Sequence, residues 1–197
     1  MRLDITILMG APQFYSPAIN ALLAKAAVNP LGPGQPNEAA RPQLAALTIE
    51  NAFAPEKVCD RDMAAACLAG LWLYHDFIDE AHSICQNIET PSGSYWHGIV
   101  HRREPDFDNA KYWFRRVGRH EIFGPLLKSA KQLTASSPPD QEAAFWATQS
   151  FWDPFAFIDL CEEVQRGGSG SDLLCRQIQK REWELLFEYC YHQALGK

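Results

Sequence analysis

The amino-acid sequence specifies an all-α protein, a compact multi-helix bundle with tetratricopeptide-like helical hairpins. Three observations carry this expectation. After residue 10 no β-branched run alternates with polar residues. Apolar residues recur three and four positions apart, the period of a helix face and not of a strand. Helix-start signals such as Ser16-Pro17 and Asp153-Pro154 punctuate the chain, with an oxygen acceptor at the cap and Pro in the first turn.

The first twelve residues read as a short strand or an extended segment within an irregular stretch, 1–15. Ser16 caps a helix over 17–28, in which Ile19, Leu22, Leu23 and Ala26 share a face. Pro30, Gly32, Pro33, Gly34 and Pro36 make 29–41 a loop. A second helix spans Pro42 to Phe53, stopped before Pro55. Residues 60–89 are helical in composition, with a break at 74–78 where Asp76 or Asp79 caps the next helix. Asp79 and Glu80 then complement the dipole of its first turn. Further helices are predicted over 94–104, over 107–118 between Asp106 and Gly118, and over 121–135 before the loop 136–140. Asp153 starts a helix to Arg166, and Ser171 or Asp172 caps the last one to Leu195, with Leu174, Ile178, Leu185 and Tyr189 inward.

Two starts resemble each other. Asp76-Phe77-Ile78-Asp79-Glu80-Ala81 and Asp106-Phe107-Asp108-Asn109-Ala110 each place an acid and an aromatic before an inward Ala. This resembles the second-helix start of tetratricopeptide or Sel1-like repeats. With no third copy, hairpins in one bundle are expected and not a repeat array.

Length and charge narrow the function classes. At 197 residues and 47% hydrophobic, the chain fits a single domain over 1–197. With 18 Lys+Arg against 24 Asp+Glu, its net charge of −6 argues against nucleic acid as a partner. No run reaches a membrane span, and the apolar run Ile5–Met9 is short for a signal peptide. A cytoplasmic location is therefore expected, with reduced thiols. The six cysteines show no C-x-x-C spacing, and Cys67, Cys85, Cys161 and Cys190 read as small buried apolar residues. Serine-hydrolase elbows, phosphate-binding loops and dinucleotide fingerprints are absent from the sequence.

The densest chemistry lies between Ser94 and His120. Arg102, Arg103, Lys111, Arg115, Arg116 and Arg119 give this stretch a net charge of +3, so the remainder carries −9. Guanidinium groups there suit an anionic small molecule; the plainer reading pairs them with the acidic remainder. His97, His101 and Glu104 stand at i, i+4 and i+7 on one helix face, the residue types of a divalent metal site. Pro105 leaves the direction of Glu104 open. His75, Asp79 and His82 repeat the spacing, although the break at 74–78 detaches His75. His82 is expected to face His97 and His101 across adjacent helices. Gly98 stands where a zinc peptidase motif requires Glu. Ala110, Trp113, Phe114 and Val117 form an apolar stripe that predicts Trp113 in the core.

The run Tyr95-Trp96-His97-Gly98-Ile99-Val100-His101-Arg102-Arg103-Glu104-Pro105-Asp106, continuing Asn109 to Arg116, resembles the signature of an uncharacterised family of microbial proteins. The resemblance covers roughly residues 65–125, with weaker similarity in the C-terminal helices. It implies no activity, cofactor or catalytic residue. Two readings follow from the residues themselves. One is a metal or small-molecule site lined by His82, His97, His101, Arg102, Arg103, Glu104, Lys111 and Arg115. The other is a non-catalytic helical scaffold that binds a partner through the basic, aromatic stretch.

Overall fold

Most helices begin where the sequence supplies an oxygen acceptor for the exposed backbone N–H groups of the first turn. The computed structural model describes residues 15–24, 28–136, 141–168 and 171–197, leaving aside the side chains of 141–144. Within them the chain forms eleven helices and no strand. They are Pro17–Leu23 (α1), Arg41–Ala45 (α2), Ile49–Phe53 (α3), Arg61–Tyr74 (α4), Ile78–Cys85 (α5), Pro91–Arg103 (α6), Phe107–Val117 (α7), Phe123–Ala135 (α8), Gln141–Thr148 (α9), Pro154–Gln165 (α10) and Asp172–Ala194 (α11). Ser16, Thr48, Asp60, Thr90, Asp106, Asp153 and Ser171 accept first-turn backbone N–H groups.

α4 pairs with α5 and α6 with α7, and the two hairpins meet through α4, α5 and α6. α11 lies across α4 and α8, while α10 bridges α7 and α11. Ala81 and Ala110, the small residues of the two similar starts, are both buried. α6 is the central element: every residue from Ser92 to Arg103 is buried, so its polar side chains are packed on all sides. Gly98 permits this, because a Cβ there would stand 2.7 Å from the Phe114 ring of α7.

Several boundaries differ from the sequence expectation. The single helix predicted over 42–53 is two, because Thr48 and Asn51 form a reciprocal capping box that restarts the chain at Ile49. α6 starts three residues early, at Pro91 behind Thr90. The break at 74–78 is present, but Phe77 occupies the cap position without a side-chain bond. Asp76 instead takes φ 63, a conformation Asp tolerates, and its carboxylate accepts from Asn29 and Arg103. α9 falls where no helix was predicted. The irregular segment 1–14 and most of the loop 136–140 lie outside the described residues. Five cysteines are buried, Cys59 is exposed, and none of the six is in a disulfide.

Candidate metal centre

His82 projects from α5; His97 and His101 project from successive turns of α6. Their rings meet as a triangle: centroids lie 4.6 Å apart for His82 and His97, and 4.8 Å for both His82–His101 and His97–His101. One ring nitrogen from each falls within 4.8 Å of the others. The i, i+4 spacing on α6 stacks His97 on His101. The hairpin partner α5 supplies the third ring.

Glu104 sets the orientation. It is the C-cap residue of α6, so its side chain continues the helical face despite Pro105. Its Oε1 accepts from His82 Nδ1 at 2.9 Å. Its Oε2 stands 3.1 Å from His101 Nδ1, within ion-pair range but off the N–H line, so that nitrogen has no hydrogen-bond partner. Asp106 adds a carboxylate oxygen 3.6 Å from the same nitrogen. With the His82 Nδ1 proton given to Glu104, His82 Nε2 presents a lone pair toward His97 Nε2, 2.9 Å away. His97 Nε2–H donates to it, or both nitrogens present lone pairs to a cation between them.

One property of the site fits a cation. Burial, reinforced by the neighbouring His101 and His82, pushes the His97 pKa down to about 4. The imidazole is then neutral at pH 7, as a metal ligand must be. Burial acts to raise the Glu104 pKa, but its contacts with His101 and His82 outweigh this and hold it below the usual carboxylate range. The carboxylate therefore stays ionised behind the two imidazoles. For metal–nitrogen bonds of about 2.0–2.1 Å, adjacent ligand nitrogens stand roughly 2.9–3.4 Å apart. The His82–His97 separation of 2.9 Å stands at the lower end of that range, and all three ligand nitrogens lie within 4.8 Å of one another.

Trp113 is not the core residue its stripe position predicts. It is half-buried and stacks on His97 with centroids 3.9 Å apart and an interplanar angle of 25°. Its stripe companions Ala110, Phe114 and Val117 fill the core instead. A stripe rule cannot separate a ring facing a neighbouring imidazole from one facing aliphatic groups.

The remaining candidates do not join the cluster. Arg102 is 1% exposed and pairs with Glu182, which also accepts from Tyr95 at 3.0 Å. Burial alone would lower its pKa, but Glu182 outweighs burial and the net direction is up. Arg103, 2% exposed, donates to Asp76 and to the Leu73 and Gly32 carbonyls; burial drags its pKa down against the pull of Asp76. These two arginines bind the helices and the 28–37 loop together and are sealed from solutes, which corrects their reading as anion holders. Lys111 pairs with Asp159 at 2.6 Å, and Arg115 lies over Phe155. His75 caps α4, its ring contacting Asn37 and the Leu22 carbonyl, and Asp79 is exposed. Neither extends the His82 row.

Comparison with protein-family profiles, curated proteins and solved structures finds no match for this chain. The functional argument therefore rests on its own geometry. Among the described residues no helix is long and apolar enough to cross a membrane.

Proposed function

We propose that this protein binds a divalent transition-metal ion through His82, His97 and His101. The observation that carries this reading is the juxtaposition of three imidazoles with ligand nitrogens within 4.8 Å of one another, two of them facing a single carboxylate. That carboxylate, Glu104, differs from its expected role as a ligand: it lies behind the imidazoles, where it fixes the His82 tautomer and raises ligand basicity. Nitrogen ligands of this kind favour zinc, iron, copper or nickel over magnesium or calcium.

The position of the cluster favours an open coordination site. The side chains of His82 and Glu104 are 28% and 26% exposed, so a solute reaches this edge while His97 and His101 stay buried. Three protein ligands with a vacant fourth position are the shell that lowers the pKa of bound water toward neutrality, the basis of metal-assisted hydrolysis or hydration. The chain's contribution is to hold His97 neutral, aim His82 through Glu104, and shield the inner face with Trp113.

Titration of metal-stripped protein with Co(II) tests this reading. A three-nitrogen site with solvent in the fourth position gives intense visible bands at one equivalent. The His82→Ala and His101→Ala variants give only the weak spectrum of hydrated Co(II). Identical spectra for wild type and both folded variants overturn it; the histidines are then a hydrogen-bonded packing cluster.

A further inference from the structure

Arg115, Arg116 and Arg119, at the end of α7 and just beyond it, have no carboxylate partner among the described residues. Every other arginine in the described residues has one. In a chain of net charge −6, carboxylates are plentiful, so three adjacent unpaired guanidinium groups require a physical reason. The negative end of the α7 dipole favours cations in the last turn, which accounts for the charge and not for the arrangement. All three arginines are exposed. Arg116 lies over Trp113 with its Cζ 5.1 Å from the ring centroid, and Arg115 lies over Phe155 at 6.0 Å. These ring contacts restrain Arg115 and Arg116 while leaving their N–H groups for donation to an oxyanion.

We infer that this end of α7 is a docking surface for an acidic segment of a partner protein. The spread of the donors selects against a single small anion. Arg115 and Arg116 diverge by about 100° around the helix, and Arg115 to Arg119 advance about 6 Å along it, so they cannot converge on one phosphate. An extended chain with several carboxylates spans them. Tyr112, 47% exposed and one turn before Arg116, joins Trp113 and the arginines in the residue set that dominates protein interfaces. Three cations are few for a nucleic-acid backbone, whose affinity scales with the number of phosphates neutralised. This surface shares Trp113 with the histidine cluster but needs no metal bound there.

The test uses the full chain and a fluorescein-labelled oligoglutamate peptide interrupted by Leu and Phe, followed by fluorescence anisotropy at increasing salt. The wild type binds the peptide, more weakly as salt rises. The folded triple variant R115E/R116E/R119E binds at least about tenfold more weakly, while R61E, at an exposed arginine that starts α4, binds as the wild type does. Three results overturn the inference: no peptide binding by the wild type, equal binding by the triple variant, or displacement by inorganic pyrophosphate or oligothymidylate in preference to unlabelled peptide. Salt-sensitive self-association abolished by the triple variant, with no peptide binding, would assign the surface to a second copy and also overturn it.

Discussion

Glu104 Oε1 and His82 Nδ1 meet at 2.9 Å, joining the end of α6 to the middle of α5. The same carboxylate faces His101, so one side chain governs two of the three imidazoles. Glu104→Gln keeps an acceptor oxygen but removes the charge. Metal affinity, read by competition with a chelating dye, should fall about 10- to 100-fold, while the unfolding midpoint moves little because the Glu104 side chain reaches solvent and glutamine keeps its shape. Unchanged affinity would remove Glu104 from the site.

The Arg102–Glu182 pair gives a second expectation. Both side chains are sealed from solvent, at 1% and 0% exposure. Arg102→Met strands an ionised carboxylate in the core and should cost about 3–5 kcal/mol in urea unfolding. Arg102→Met with Glu182→Leu should recover much of that loss. A single variant as stable as the wild type would contradict a structural role.

Gly98 sets the approach of α6 to α7. Gly98→Ala puts a methyl group 2.7 Å from the Phe114 ring. Relieving the overlap moves α7 and should cost about 1–3 kcal/mol. Since α7 also carries Trp113, near-ultraviolet circular dichroism should report the displacement. An unchanged spectrum and stability would show that Phe114 yields without moving the helix.

Acid sensitivity follows from His120. Burial pushes its pKa down to about 4; its Nδ1 accepts from the Ile122 N–H at 3.4 Å, and its Nε2 meets Ser92 Oγ at 3.0 Å. The folded state therefore holds a neutral imidazole, whereas the unfolded chain binds a proton below about pH 6.5. The unfolded state binds more protons between those two values, so this contribution to stability is full above about pH 6.5 and falls as pH drops toward 4. His120→Gln should show a shallower loss of unfolding free energy over that interval. Parallel curves for wild type and variant would sink the assignment.

Much of the framework was legible because it is local. Asp106, Asp153 and Ser171 marked helix starts, where each side chain accepts from a first-turn backbone N–H, and the i, i+4 spacing of His97 and His101 fixed a shared face. The approach of His82 followed from two adjacent helices. What the sequence concealed depends on tertiary distance. For Arg102 and Arg103 the sequence offers both an anion site and pairing with the acidic remainder, and the choice rests on Glu182 and Asp76, 80 and 27 residues away. Trp113 satisfies an apolar stripe whether it meets Leu or imidazole. The split of 42–53 required weighing the Thr48–Asn51 box against an otherwise continuous helical composition.

Metal content of tag-free protein, purified without chelator, tests the central claim most directly. Plasma mass spectrometry on wild type beside a folded His97→Ala/His101→Ala variant should find near-stoichiometric zinc, iron, copper or nickel in the first and background in the second. Metal-free wild type that also fails to take up these ions on reconstitution, or equal metal in both proteins, would contradict the three-imidazole site.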